Sequence, residues 1–587
     1  MFQIFVDSAA NLPAVTAKKY NIHVISFVNL ISGKEVTCYN PDLSPEEERE
    51  KGKEYYDAMR KGCEIKTGLI STATFEEKFQ KAFDADQDVL YLSLSKNISG
   101  NFNSARLAAE ELLSQNTTGR KIRLIDSLNA SLAQGLLAIH MAKEQLIFCG
   151  SSETFLDKAL TADSNADNGG NAFRIPSLVN ADGTLIAAID RASCGADWGY
   201  IELAVRRSED GGETWSPIET IAAPPARETK ISADCYASAF YIDPCMAVAP
   251  NGDVILLADF WPECKGLHNQ HLLDKHKVPY AQINGRMRPL IYDRDGNFYY
   301  IEESGAVLDS QKQPTPYRLG SGFGDLYKGD EYVGNIYLNG AVGKNEAGAV
   351  TTFGAPLKAP KRCYVFMLRS SDRGKTWSDP VDITNMVLHE SDGTFLGVAP
   401  GAGITTTDGR IVMPLYVDRK STVSIYSVDN GDTWHRMTSQ PYAENTDEWQ
   451  MVEAPDGSIV GFGRQKRFGK TPMSISANKG KSWSKCGKTG LYAPKCQKSV
   501  IAVGDTIFCS HPSGHTRENG MLSVGKLRRK KGGYTHVDWV RHVPINQGFF
   551  AYSCLAQIDA HTLGVLYEDR PSSHIQFQTF ELAELMG

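Results

Sequence analysis

No apolar run in this sequence reaches the roughly eighteen residues that a membrane-spanning helix needs. The opening Met1–Asp7 carries neither a cationic segment nor a long apolar one. No secretory signal is read there, and the expected compartment is the cytoplasm. The twelve cysteines are scattered and no two form a CxxC pair, so free and mostly buried thiols are expected. Without export, the Asn-x-Ser/Thr triplets at Asn97, Asn116 and Asn129 carry no weight. A basic excess is also missing. Net charge is -7, and the short run Arg528–Lys531 precedes Gly532 and Gly533 like a hairpin tip, which argues against a nucleic-acid partner. Cys264, His268, His271 and His276 share one segment, but their spacing fits no zinc pattern and reads as a polar loop. Gly469-Lys470-Thr471 is no phosphate loop, because Arg464 stands where that pattern needs glycine. No metal and no organic cofactor is expected.

What remains is a chain of 587 residues, 42% hydrophobic and 22% charged, an ordinary globular composition long enough for more than one domain. Residues 1–148 alternate short apolar runs (Phe2–Val6, Val89–Leu94, Ile122–Ile125) with helical spacing (Ser44–Arg60, Thr74–Phe83, Asn101–Ser114). That alternation predicts a mainly parallel sheet covered by helices. Small and polar residues then mark a linker over 149–170. From 171 to 587 short β-runs are separated by glycine-containing turns, as at Gly183, Gly252, Gly296 and Gly457, which predicts an all-β domain. Extra hairpins predict a small β insertion near 285–360, and Phe580–Met586 reads as a short helix.

The first segment contains Asp7-Ser8, Lys66-Thr67, a Ser95 to Ala105 stretch with Ser99 and Gly100, and Asp126-Ser127. Together these resemble the amino-terminal domain of the DegV family, which binds fatty acids, over most of 1–145. The resemblance implies carboxylate contacts from Thr67, Ser95, Ser99 and Gly100. Two departures matter: Gly68 follows Thr67 where the family usually has serine, and the family's second domain, which closes over the acyl chain, is missing. Fatty-acid binding is therefore doubtful.

The all-β segment repeats one turn motif. Ser208, Asp210, Gly212, Thr214 and Trp215 form the first copy. Ser370, Asp372, Gly374, Thr376 and Trp377 form the second; Ser427, Asp429, Gly431, Thr433 and Trp434 the third. Ser476, Asn478, Gly480, Ser482 and Trp483 are a worn fourth. Ser and Asp accept backbone N–H bonds inside a tight turn, glycine relieves a strained position, and the tryptophan is expected to pack on its own sheet. The pattern resembles the Asp-box of sialidases. A recurring turn between antiparallel strands means a repeated unit, as in propellers, and the resemblance to sialidases implies a six-bladed β-propeller. The gap between the first two copies far exceeds one blade of roughly 40–50 residues. A blade without a box, together with the insertion, is expected to fill it.

Further motifs occur in order along about 165–587: Phe173-Arg174-Ile175-Pro176, Asp190-Arg191 followed by Asp197, and Glu448 with Arg464. A glycine-rich segment Phe395–Gly401 precedes that pair; Ser510-His511-Pro512 with Arg517, Tyr552 in Ala551–Leu555, and Glu568 follow it. This set resembles the exo-α-sialidases of the bacterial type. The resemblance implies that Arg174, Arg464 and Arg517 hold the substrate carboxylate, since guanidinium forks match a carboxylate. It implies Tyr552 as nucleophile, Glu448 as its base and Asp197 as acid/base. Glu568 would orient Arg174, and Arg191 would line the pocket near Asp197. A neutral tyrosine suits attack beside a fixed anion, where a carboxylate would be repelled. The expected partners are sialylated glycans, with no nucleic acid and no membrane span. Two alternatives stay open: an intramolecular trans-sialidase or transferase using the same residues, and a non-catalytic sialoglycan-binding module.

Overall fold

The computed structural model describes residues 2–149 apart from 32–33 and 116–119, and 172–586 apart from 193–194, 227–237, 339–341, 345–349, 353–354, 419–420, 438–445, 485–486, 531–532 and 572–573. Structural statements below concern the described residues. The chain divides into two units, Met1–Gln145 and Leu146–Gly587. The first boundary read from the sequence lies within a few residues of this division. The expected linker falls almost wholly outside the described residues.

The first unit has a parallel four-stranded sheet of Ile22–Ile25, Phe2–Asp7, Asp88–Ser93 and Ile122–Asp126, in that spatial order. A small antiparallel sheet joins Lys34–Thr37, Val28–Ile31 and Ile65–Gly68. Helices form where the sequence spacing places them. Pro45–Arg60 starts from a capping box in which Ser44 and Glu47 each bond the other's backbone. Thr72–Asp84 is capped by Ser71 and buries Phe75, Phe79 and Phe83 against Phe5 and Tyr91. Asp7 is fully buried and accepts from the Tyr91 hydroxyl at 2.9 Å, the Leu94 N–H at 2.8 Å and Gln134 at 3.2 Å. Those donors satisfy a group that would otherwise be costly to bury.

The second unit is all-β. Its six mainly antiparallel sheets follow one another along the chain and begin at Ala172–Ala181, Phe240–Val248, Leu396–Val398, Trp449–Glu453, Ser499–Val503 and Ser553–Gln557; in the second, Phe240–Val248 also pairs in parallel with Gly401–Ala402. In the sixth, the strand beyond His574–Glu581 is Glu144–Cys149, drawn from before the expected linker. A separate seven-stranded antiparallel sheet runs from Tyr280–Ile283 to Glu331–Asn335, between the second and third strands of the second sheet. It matches the expected insertion. No described helix is long and apolar enough to cross a membrane.

The four boxes sit in the first four sheets, each between the third and fourth strand. Apart from the insertion and a two-stranded hairpin, no described sheet without a box intervenes between the first two copies, where the expectation had a whole extra blade. The long gap is filled by the insertion and its flanking loops, and the sheets without boxes are the fifth and sixth. The bonding repeats from copy to copy. Gly212, Gly374, Gly431 and Gly480 each donate their N–H to the box serine, at 2.7–2.8 Å. Asn478 keeps the geometry of the worn copy by accepting from the Ser482 N–H at 2.8 Å.

The tryptophans were expected to cover their own sheets, and Trp483 does meet Trp449 of its own sheet edge-on at 5.9 Å, but the boxes also lean on the preceding sheet. Trp215 of the first sheet meets Phe577 of the sixth edge-on at 5.3 Å between centroids. Trp434 of the third points its Nε1 at Met367 Sδ of the second, 3.4 Å away. A Cβ on Gly212, at φ +98°, would lie 2.1 Å from Phe577, so the box can dock only as glycine. Mixed apolar clusters continue this docking inward. Leu178, Leu185 and Ile189 of the first sheet pack with Leu566, Ile575 and Phe577 of the sixth. Equivalent clusters join each other consecutive pair of sheets.

Polar bonds tie the sheets together beneath the site. Ser177 of the first sheet donates to the Gly401 carbonyl at 2.6 Å and accepts from the Met246 N–H of the second at 3.1 Å. Gln450 of the fourth donates to the Pro400 carbonyl at 2.9 Å, and Gln497 donates to the Ser553 carbonyl of the sixth at 3.0 Å. Gly401, at φ +120°, allows the approach, since a Cβ there would lie about 3 Å from both glutamine side chains. The glycine-rich segment Phe395–Gly401 is thus where strands from several sheets converge.

Candidate active site

A cavity of about 230 Å³ opens where these strands meet, and Arg174, Asp197, Glu448, Arg464, Arg517 and Tyr552 all line it. Arg174 stands on the first strand of the first sheet, and Asp197 on the loop after the second strand. Glu448 precedes the first strand of the fourth sheet, and Arg464 follows its second, their backbones joined by the Arg464 N–H to the Glu448 carbonyl at 2.8 Å. Arg517 lies in a turn of the fifth sheet, and Tyr552 enters the sixth. Residues hundreds of positions apart are brought together because each sheet turns its first strands inward.

The Tyr552 hydroxyl donates to Glu448 Oε1 at 2.5 Å and accepts from Arg464 Nη1 at 2.7 Å. Arg464 also pairs directly with Glu448. The Arg517 guanidinium lies 5.3 Å from the Tyr552 ring centroid. Burial pushes the Tyr552 hydroxyl well above its ordinary range and Glu448 adds to this, while Arg464 and Arg517 pull the other way. Glu448 is the carboxylate in direct hydrogen-bond contact with that phenol.

Across the cavity, Arg174 pairs with Asp197 Oδ1, and its Nε lies 4.0 Å from Glu568 Oε1. Glu568 is buried and accepts from the Ile175 N–H at 2.8 Å, which joins the sixth sheet to the first. Burial works against the Arg174 charge, but Glu568 and Asp197 outweigh it and hold the guanidinium above its usual range. Burial raises Asp197, yet its bonds to His268 and Arg174 prevail and set it below the ordinary carboxylate range. His268 Nε2 lies 3.1 Å from Asp197 Oδ2.

Two lining residues have strained backbones. Ile175 at φ +59° and Asp243 at φ +65° occupy the left-handed region, rare for a β-branched residue. Each sits at a register shift in its strand pair, where a bulge turns the chain toward the cavity. Arg191 is placed differently from the expectation. It pairs with Glu202 of the neighbouring strand at 3.3 Å and does not line the cavity. Residues the sequence reading passed over do line it: Asp243, Asp259, Trp261, His268, Tyr416 and Asp447. Only Asp447, next to Glu448, had a motif nearby. His268 belongs to the segment read as a polar loop, and no described group of histidines, cysteines and carboxylates is placed to hold a metal ion.

In the first unit, Ser95 Oγ and Ser99 Oγ accept N–H bonds within one turn, from Asn97 at 3.4 Å and Asn101 at 3.2 Å. Gly100 follows in the same turn, and Thr67 is exposed on the small sheet. None of the four lines the cavity described in that unit, whose walls include Lys18, His23, Tyr39 and Lys78.

The family model described as "Uncharacterised protein, DegV family" matches residues 1–146. The model of the BNR repeat-like domain matches residues 337–563. The anhydrosialidase of Macrobdella decora is 28% identical over 510 residues, which are 76% of this chain and 65% of that protein. This chain joins a DegV-like domain to a sialidase-like domain. Sialidase B of Streptococcus pneumoniae is 26% identical over 438 residues, or 68% of this chain and 61% of the relative. The chain thus spans less than two thirds of the length of each of these two relatives. In fold, the sialidase-like domain is similar to the intramolecular trans-sialidase from Ruminococcus gnavus. That match has a TM-score of 0.61 at 23% identity and covers 75% of this chain and 99% of the other.

Proposed function

We propose that the protein is a retaining exo-α-sialidase, which releases terminal α-linked sialic acid from glycans through a covalent sialosyl-tyrosine. The carrying observation is the Tyr552 hydroxyl at 2.5 Å from Glu448 and 2.7 Å from Arg464, in one cavity with Arg174 and Arg517. In this reading the six sheets are blades of a propeller, and the three arginines take the substrate carboxylate at its axis. Tyr552 attacks the anomeric carbon as Glu448 removes its proton. A phenol meets no like-charge repulsion from the neighbouring carboxylate, as an aspartate would. Asp197 protonates the departing oxygen, then takes a proton from the water that cleaves the sialosyl-tyrosine bond. Glu568 holds Arg174 from behind.

The name of the anhydrosialidase relative favours a second reading, in which a hydroxyl of the bound sugar replaces water in the second step. Both readings use the same residues, and both predict trapping of a fluorinated sialosyl donor on a peptide containing Tyr552. Proton NMR of the first product formed from a sialoside separates them: free sialic acid with retained configuration supports hydrolysis, and an anhydro sugar supports the second reading. An inverted first product would sink the tyrosine mechanism.

A further inference from the structure

The carboxylate assigned as acid and base has a partner that the steps above do not use. Asp197 is held at both oxygens, Oδ1 by Arg174 and Oδ2 by His268 Nε2 at 3.1 Å. His268 belongs to a short 3-10 segment, Gly266–Leu272, beyond the second strand of the second sheet. That segment turns at Gly266, φ +52°, close against Phe240 and Trp261. The imidazole packs on Trp198, the residue after Asp197, with ring centroids 4.9 Å apart. Lys265 Nζ lies 5.1 Å from the same indole. Apolar contact on one side and Asp197 on the other thus set the imidazole in the cavity wall.

In the free site Asp197 is poorly placed to act as an acid, because it rests ionised between Arg174 and His268. A substrate carboxylate entering the arginine cluster competes for Arg174 and leaves His268 as the remaining partner. We propose that His268 and Asp197 act as one proton-carrying pair, in which His268 is the positioning residue that supplies the proton Asp197 passes to the leaving oxygen. This rests on the sialidase reading above.

The steps balance. As the bond from the anomeric carbon to the leaving oxygen breaks, the one proton the pair holds passes from His268 through the Asp197 carboxyl to that oxygen, leaving Asp197 ionised and His268 neutral. The Tyr552 oxygen forms the new bond, and its proton goes to Glu448. Water then attacks, gives a proton back to Asp197 and His268, and Tyr552 recovers its own from Glu448. Other charged groups face the pair from each neighbouring element: Arg174 and Asp190 from the first sheet, Asp243 from the second, and Lys265 beside His268. Cys264, its thiol pushed up to about 12 by burial, stays neutral.

The test compares two sialosides on the full chain. A nitrophenyl sialoside has a leaving group that needs no proton, whereas sialyllactose has one that does. In His268→Gln and His268→Ala, kcat/KM for sialyllactose should fall by about tenfold or more, part of the 10²–10⁴-fold typical of general acid catalysis. Its alkaline limb should move to lower pH by about one unit. The nitrophenyl value should stay within about threefold, which also reports an intact fold. Asp197→Asn should lose at least as much on sialyllactose, and adding His268→Gln to it should cost little more. Equal losses on both substrates, or an unchanged pH profile, would overturn the pairing and leave the sialidase reading standing. No turnover of either substrate by the wild-type chain would overturn both.

Discussion

At the scale of single residues, the site is defined by which charges face one another. Arg464 is the most constrained of the three arginines: it touches Tyr552 and Glu448, and its Nε lies 3.8 Å from Asp447. Burial opposes its charge, but Glu448, Tyr552 and Asp447 hold it well above the usual range. In the sialidase reading, removing it takes one partner from a desolvated substrate carboxylate and leaves Glu448 without its cationic neighbour, bonded to Tyr552 alone. Arg464→Ala should therefore lower kcat/KM for a sialoside by about 2–5 kcal/mol in activation free energy, the usual cost of truncating a buried charge pair. Steady-state kinetics beside an exposed control such as Arg529→Ala checks this. A specificity constant within a few-fold of wild type would remove Arg464 from the cluster.

At the scale of elements, the sheets hold together by polar bonds laid across strands as well as by their apolar faces. In the fifth sheet, His511 Nδ1 donates to the Pro512 carbonyl at 2.9 Å, so Nε2 accepts from Ser523 Oγ at 2.8 Å, and Ser523 in turn accepts from His542 Nδ1 at 2.8 Å. Burial lowers the His511 pKa to about 4, with the Pro512 bond opposing and Lys498 and His542 assisting. The folded state therefore refuses a proton that the unfolded chain accepts from about pH 6.5 downward. Stability from this group is intact above pH 6.5 and is lost as pH falls toward 4, by up to about 3 kcal/mol. Denaturant titrations at pH 7 and 4.5 should show a smaller acid loss in His511→Gln than in wild type. An equal loss in both would mean that other groups govern acid unfolding.

At the scale of the molecule, all the residues assigned to sialoside cleavage lie in the second unit, but the strand that flanks its sixth sheet, Glu144–Cys149, precedes the expected linker. A fragment of residues 144–587 should keep sialoside turnover, while one of residues 172–587, without that strand, should melt several degrees earlier. Thermal melts and activity of the two fragments decide this. Equal melting temperatures would show that the strand adds nothing to the sheet. The DegV-like unit contributes none of the residues that line the sialidase-like cavity.

The sequence by itself determined the class of each half, the repeated turn, and Arg174, Arg464, Arg517, Glu448 and Tyr552 as residues that meet in one cavity. Each of these is written in local signals: alternation of β and α runs, a serine, aspartate and glycine at fixed spacing, and short motifs around Arg174, Glu448 and Tyr552. Only the tertiary structure decided what depends on neighbours distant in the chain. It docked the boxes on the preceding sheet as well as on their own, gave the fifth and sixth sheets no box, turned Arg191 toward Glu202, and brought a strand from before residue 150 into the last sheet. It also set His268, from an unremarkable polar segment, against the carboxylate of Asp197. Spacing along a chain records which residues share a turn or a face. Which carboxylate a histidine meets is settled when separate sheets pack against one another, and no local pattern carries that.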